Sequence, residues 1–268
     1  MIFYEKYMDI SEEILRGFKE NKPILGFDSK IIKDFKFPEN LNKIYEIEDR
    51  IRELGGVPAM IAVLNGRIKV GISKNDLEIL CKMSELPEAS KKDIPYLILK
   101  NKSGVLSFDS TLLVGTLAGI KVFLTGYLVC DKNSYNHGEY VYKDISEYLN
   151  KNIAIISCGI RSEKEMKVIL DELDKYDVPL IGYQLDEIPL YDKGKTMKVN
   201  YKIEIPSELL KFMKIKWELD ITGGVMIINE DMELNSKNTL SWDGVNLYNL
   251  FNNIRLGIVL GKEVYRIR

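Results

Sequence analysis

Seventeen residues, Gly55 to Gly71 (GGVPAMIAVLNGRIKVG), constrain the fold of this chain more than any other stretch. Gly55-Gly56 is a helix stop, Ala59 to Leu64 is an unbroken apolar run of strand length, and Asn65-Gly66 separates it from a second strand, Arg67 to Val70. Asn-Gly between two apolar runs is a strong hairpin signal, because both turn positions need positive φ, which these residues adopt at little cost. A buried strand and a tight hairpin are therefore expected here.

Around this hairpin, helical and strand patterns alternate, which favours an α/β architecture. Ser11 precedes Glu12-Glu13-Ile14-Leu15 as a helix N-cap with acids in the first turn. Pro23 to Phe27 is a short apolar strand. Leu41, Ile44, Tyr45, Ile47, Ile51 and Leu54 recur at spacings of three and four and predict a helix over Pro38 to Leu54. Ser73 caps a short helix through Leu80, and Ser110 to Ala118 reads as a buried helix. Lys121 to Leu124, Ile153 to Ser157, Val178 to Tyr183 and Gly223 to Ile228 read as strands. Lys164 to Lys175, Pro206 to Leu219 and Val245 to Leu256 read as helices. Tyr191 to Lys202 is charged and non-periodic, and is expected to be an exposed loop.

Composition excludes several function classes. A chain of 268 residues, 46% of them hydrophobic, can bury a sizeable core, and a single domain over 1–268 is expected. With 38 basic against 40 acidic residues there is no basic excess for nucleic acid and no polybasic run for a membrane surface. Cys81, Cys130 and Cys158 are odd in number and widely spaced, which suits reduced thiols in a cytoplasm rather than disulfides or a zinc site. The start, MIFYEKYMDISEEI, carries early acids and no apolar core, so no signal peptide is expected.

Several blocks, taken in order, resemble the pseudouridine-5'-phosphate glycosidase family, the indigoidine synthase A-like proteins. Gly55 to Gly71 matches best. ILGFDSKII around Asp28 is similar to the family's VALESTII, ASKKDIP (Ala89 to Pro95) to KVSRRDLP, and STLLVGTLAGIKVFLT (Ser110 to Thr125) to a helix-strand unit ending ALAGIRVFATGG. KDISEYL around Asp144 is similar to FDISADL, SCGIRS (Ser157 to Ser162) to CAGAKS, and VPLIGYQLDEIP (Val178 to Pro189) to GVPVVGYGTDEFP. The resemblance runs from about Lys22 to Val264. It implies a three-layer α/β/α domain with a mixed central sheet, and a site at the carboxyl ends of strands near Asp28, Thr125 and Arg161.

The activity it implies is metal-dependent cleavage of the C-glycosidic bond of pseudouridine 5'-phosphate to uracil and ribose 5-phosphate. In the family a lysine amine forms an imine with the opened sugar, a carboxylate moves protons, and a divalent cation, taken as Mn2+, is held by an aspartate and waters. The positions carried over are Asp28 and Arg161 as catalytic, Lys30, Ser110, Thr125, Gly126, Arg161 and Ser162 as ligand-binding, and Asp144 as metal-binding; the plainer reading of Asp144 is an acid at a helix N-terminus. The implied partners are a small sugar phosphate or nucleotide and further copies of the chain, a homo-oligomer and in the family a trimer, with no nucleic acid and no membrane.

The chain departs from the family pattern at these same positions. The imine lysine aligns with Arg161, whose guanidinium is not a nucleophile but can hold a phosphate. The acid-base glutamate aligns with the shorter Asp28, and a second active-site lysine with Glu88. The family's TGGIGGVHRG loop is here Thr125-Gly126-Tyr127-Leu128-Val129-Cys130-Asp131-Lys132. The resemblance also aligns Gly261 to Val264 with a family GKEVTPF piece and puts an asparagine-bearing helix of the sugar-phosphate site beyond Arg268. Lys164 and Lys30 are candidate replacement amines whose plainer reading is a solvated surface lysine; His137 reads as a surface residue. Three functions follow: a divergent C-glycosidase with altered catalytic residues, a catalytically silent paralogue that binds a ligand or a protein, and a different lyase or hydrolase using Asp28 and a metal at Asp144.

Overall fold

The computed structural model of the chain describes residues 6–128, 135–136, 139–140, 151–160, 163–190, 195–229, 241–242 and 245–265. These gather into two compact units, Met1–Lys121 and Val122–Arg268.

The first unit runs β1 (Met8–Ile10), α1 (Glu12–Lys19), β2 (Ile24–Asp28), α2 (Ile31–Asp34), α3 (Glu39–Glu53), β3 (Val57–Leu64), β4 (Arg67–Val70), α4 (Lys74–Lys82), β5 (Glu88–Ala89), α5 (Ile94–Leu99), β6 (Gly104–Leu106) and α6 (Phe108–Leu117). The expected hairpin is present: Asn65 and Gly66 take φ of 49° and 74° and set the antiparallel register Leu64↔Arg67. Its sheet is mixed, in the order β1-β4-β3-β2, with β2 parallel to β3. Every residue of β2 and β3 is buried, so both faces of these strands are covered, as in the middle layer of an α/β fold. Ser11 caps α1 by accepting from the Ile14 N–H at 3.3 Å. Asn40, 1% exposed, joins three helices: its amide donates to Ile32 O and Cys81 O at 3.0 Å each.

The second unit runs β7 (Val122–Leu128), β8 (Tyr135–Asn136), β9 (Glu139–Tyr140), β10 (Ala154–Ile160), α7 (Glu163–Lys175), β11 (Leu180–Tyr183), β12 (Glu187–Leu190), β13 (Lys195–Lys198), β14 (Tyr201–Ile203), α8 (Pro206–Glu218), β15 (Val225–Ile228), β16 (Ser241–Trp242), β17 (Val245–Asn246) and α9 (Leu247–Val264). Its sheet is parallel in the order β7-β10-β15-β11-β14, with β12 and β13 added as an antiparallel pair. All residues of β10 and β15 are buried. Trp217 is buried on α8 and donates its indole N–H to Gly223 O at 3.0 Å.

Two expectations are corrected. Within Tyr191 to Lys202, residues 195–198 form β13 and Tyr201 and Lys202 open β14, because pairing with β12 and β11 supplies the backbone partners that the local pattern does not announce. The last helix does not end at Leu256 but runs to Val264, carried through Gly257 and Gly261 by the burial of Ile258, Leu260 and Val264. No helix among the described residues is long and apolar enough to cross a membrane.

Candidate functional site

In the first unit the polar groups gather where β3 changes partners. One edge of β3 pairs with β2 up to Asp28↔Ile61. The same edge is then taken by β6, through Ala62↔Val105 and Val63↔Gly104. Asp28 and Ser29 leave the sheet at that changeover, a place where parallel strands open and ligands are commonly bound. Asp28 is 6% exposed and Ser29 fully buried. One carboxylate oxygen of Asp28 accepts from the Lys30 N–H at 3.0 Å, a local turn that holds the acid at the strand end. The Ser29 hydroxyl accepts from the Leu106 N–H at 3.0 Å, which ties the end of β2 to the end of β6.

From Leu106 the chain enters α6. The Ser107 N–H and hydroxyl both donate to Ala89 O, at 3.1 Å, and its hydroxyl lies 2.9 Å from that of Ser110. Ser107 thus spends its side chain on β5 and leaves the first turn of α6 without a side-chain cap. One turn in, the hydroxyl of buried Thr111 has no partner among the described residues. The first unit therefore places Asp28, Ser29 and Lys30 at the end of β2 and Ser107 and Ser110 at the start of α6, a helix that packs on β2. Glu88, in β5 one residue before Ala89, is exposed and pairs with Val105. Ser90 fixes Asp93 through its hydroxyl at 2.6 Å and its N–H at 3.0 Å, and these bonds hold the Asp93 carboxyl below the usual carboxylate value.

The second unit repeats the device. One edge of β10 pairs with β15 as far as Ser157↔Ile228 and then with β12 at Ile160↔Leu190. On the other edge Thr125 is in register with Ser157, so Thr125 lies within β7 and not at its end. At the changeover the Ser157 hydroxyl shares its hydrogen between Gly126 O (2.8 Å) and Gly159 O (3.0 Å) and accepts from the Gly159 N–H at 3.2 Å. Gly159 has φ 144°, a conformation that suits glycine. Helix α9 packs on β7 and β10 and brings two fully buried asparagines, Asn249 and Asn253. The Asn253 amide donates to the Cys158 sulfur at 3.1 Å, while its carbonyl oxygen has no partner among the described residues. A buried amide oxygen left without any partner costs on the order of 1–3 kcal/mol, so a residue outside those described, a water or a bound group would complete it.

The GKEV residues Gly261 to Val264 are the last turn of α9, the helix that carries Asn249 and Asn253. Asn253 stands in a helical pattern that also holds Asn249 and Asn252; Ser29 and Ser157 fall within the family-like blocks, while Ser107 carries no signal beyond ordinary turn composition. Arg161, Ser162, Asp144 and His137 lie outside the described residues. Among the described residues no three His, Cys, Asp or Glu side chains gather in a way that could hold a metal ion.

Comparison with known proteins places these features. The family model for indigoidine synthase A like proteins matches residues 13–243. A pseudouridine-5'-phosphate glycosidase of Petrotoga mobilis is 35% identical over 225 residues, 83% of this chain and 74% of the relative. One from Clostridium botulinum is 35% identical over 228 residues, 84% of this chain and 74% of the relative. The crystal structure of an indigoidine synthase A-like protein from Thermotoga maritima superposes with a TM-score of 0.71 at 18% identity, covering 97% of this chain and 94% of that one. The prealnumycin C-glycosynthase AlnA, solved in complex with ribulose 5-phosphate, superposes with a TM-score of 0.74 at 17% identity, covering 98% and 95%. At those identities the two structures speak for the fold alone.

Proposed function

The chain belongs to the family of indigoidine synthase A-like proteins, and on that footing we propose that it binds a pentose 5-phosphate, free or as its C-nucleotide, and acts on the C-glycosidic bond with catalytic groups altered from the family pattern. The observation that carries this is Asp28: a nearly buried carboxyl at the carboxyl end of a parallel strand, with one oxygen held by a backbone N–H. A carboxyl so placed is positioned to pass a proton to or from a bound sugar or base. The first turn of α6, which has no side-chain cap, offers backbone N–H groups suited to an anionic group. Arg161 is assigned to charge and phosphate recognition, since a guanidinium does not form an imine. Asp144 is assigned to a divalent cation, Mn2+ in this reading, and the protein to the cytoplasm.

A second reading, a silent paralogue that binds the ligand without turnover, is favoured by Glu88, an exposed acid next in sequence to Ala89, whose carbonyl Ser107 bonds. The two are separated by incubating the protein and Mn2+ with pseudouridine 5'-phosphate and following uracil, and by borohydride trapping with ribose 5-phosphate. Uracil release without a trapped adduct supports the altered mechanism. An adduct on one lysine would sink the assignment of Arg161, and absence of both would leave only the silent binder. Metal content of the purified protein beside that of Asp144→Ala tests the cation.

A further inference from the structure

Asn65-Gly66 is the one Asn-Gly step in the chain, and it carries a chemical liability as well as a turn. In such a step the Gly66 nitrogen attacks Cγ of Asn65: a C–N bond forms, the Cγ–Nδ2 bond breaks, and ammonia leaves with the proton of the attacking nitrogen. Water then opens the succinimide at either carbonyl, giving aspartate or isoaspartate. Glycine favours the attack because no Cβ shields its nitrogen. Asn65 stands exposed at the hairpin tip, so water reaches it.

The folded chain opposes that ring closure. The Gly66 N–H donates to Lys102 O at 2.9 Å, and a succinimide nitrogen has no hydrogen with which to make the bond. The Ser103 hydroxyl accepts from the Asn65 N–H at 3.0 Å and lies 3.4 Å from Asn65 Oδ1, so one group restrains both the backbone and the side chain of the residue. Closure also takes Asn65 out of the left-handed turn, φ 49°, that sets the register Leu64↔Arg67. We propose that Asn65 is a site of spontaneous deamidation guarded by the fold, with Lys102 O and the Ser103 hydroxyl as the guard, so that the step proceeds only when this corner of the first unit opens. Conversion acts in turn on β6. Isoaspartate adds a carbon to the main chain beside Gly66, which is wedged so closely that a Cβ there would lie 2.9 Å from Asn101 Cα and from Ile98 O. Lys102 and Ser103 lead directly into Gly104–Leu106, and the Leu106 N–H holds Ser29 at the end of β2.

The test is mass-spectrometric peptide mapping of the full chain after warm incubation at mildly alkaline pH. Tryptic cleavage after Arg52 and Arg67 yields the peptide Glu53 to Arg67, in which Asn65 is the only asparagine. Conversion in the folded wild type is expected to be at least ~10-fold slower than in the chain unfolded by guanidinium chloride at the same pH, the effect of two hydrogen bonds. Ser103→Ala is expected to speed it about 3- to 10-fold in the folded chain, the effect of one. Ser73→Ala removes the cap of α4, whose hydroxyl accepts from the Asp76 N–H at 3.2 Å, and leaves the Asn65 corner as it is. It controls for lost stability and is expected to convert at the wild-type rate. A folded wild type that converts as fast as the unfolded chain, a Ser103→Ala variant no faster than wild type, or a Ser73→Ala variant accelerated as much as Ser103→Ala would overturn the proposal.

Discussion

Replacing Glu48 by glutamine should change the pH dependence of stability in a way that can be worked out beforehand. The Glu48 side chain is 4% exposed on α3 and shares one guanidinium, that of Arg52, with Glu13 and Asp49. Burial outweighs the attraction of Arg52 and pushes the Glu48 carboxyl from 4.5 up to about 7. A carboxyl raised in the folded state holds its proton there after the unfolded chain has released its own. Stability is therefore highest below the unfolded value and falls as pH rises, until the folded group ionises near 7. At 1.36 kcal/mol per pKa unit the loss between pH 4.5 and pH 7.5 is up to about 3 kcal/mol. Glu48→Gln keeps an acceptor for Arg52 and removes the titration. It should unfold in urea near the wild-type midpoint at pH 4.5 and be more stable by up to about 3 kcal/mol at pH 8. Every other titrating group is common to the two proteins and cancels in the comparison. If the curves of stability against pH run parallel for the two proteins, Glu48 is ionised in the folded chain and the reasoning fails.

Other substitutions probe the candidate site and its frame. Ser29→Ala leaves the Leu106 N–H buried without its acceptor and should cost about 1–3 kcal/mol in urea unfolding, whereas an unchanged midpoint would mean the changeover does not depend on that bond. Asn253→Leu removes a buried carbonyl that has no partner among the described residues; it should leave stability within ~1 kcal/mol of wild type or raise it while weakening sugar-phosphate binding at least ~10-fold. Binding as tight as wild type would show that the orphaned oxygen faces no ligand. Gly71→Ala is disfavoured twice, by a φ of 71° and by a Cβ that would meet the Ser11 hydroxyl at 2.5 Å and Ile14 at 2.6 Å. A loss of about 2–4 kcal/mol in thermal or urea unfolding is expected.

The parts of the fold legible in the sequence are those set by near neighbours. The β3–β4 hairpin needs only Asn65 and Gly66 to accept positive φ, and α1 and α4 begin where Ser11 and Ser73 reach the N–H three residues on. Strands β13 and β14 are charged and short, and their partners lie in β12 and β11, so no local pattern marks them. Helix α9 crosses two glycines because tertiary burial offsets their cost of about 1 kcal/mol each. In the site, Asp28 is legible because it matches a family block. Ser29 and Ser157 fall in such blocks too, but their hydrogen-bonding roles, like that of Ser107, depend on which strand replaces which along an edge of β3 or β10. Asn253 is not marked locally either, because its burial depends on α9 packing on β7 and β10.

The claim that this scaffold holds a pentose 5-phosphate is tested most directly by titration calorimetry of the wild-type protein with ribose 5-phosphate, and with ribose as the control. Saturable one-to-one binding of the phosphate, and at least ~100-fold weaker binding of the bare sugar, is the predicted result, since a charge-assisted phosphate contact contributes about 1.5–3 kcal/mol per hydrogen bond. No heat with ribose 5-phosphate, or equal affinity for the two sugars, would contradict it.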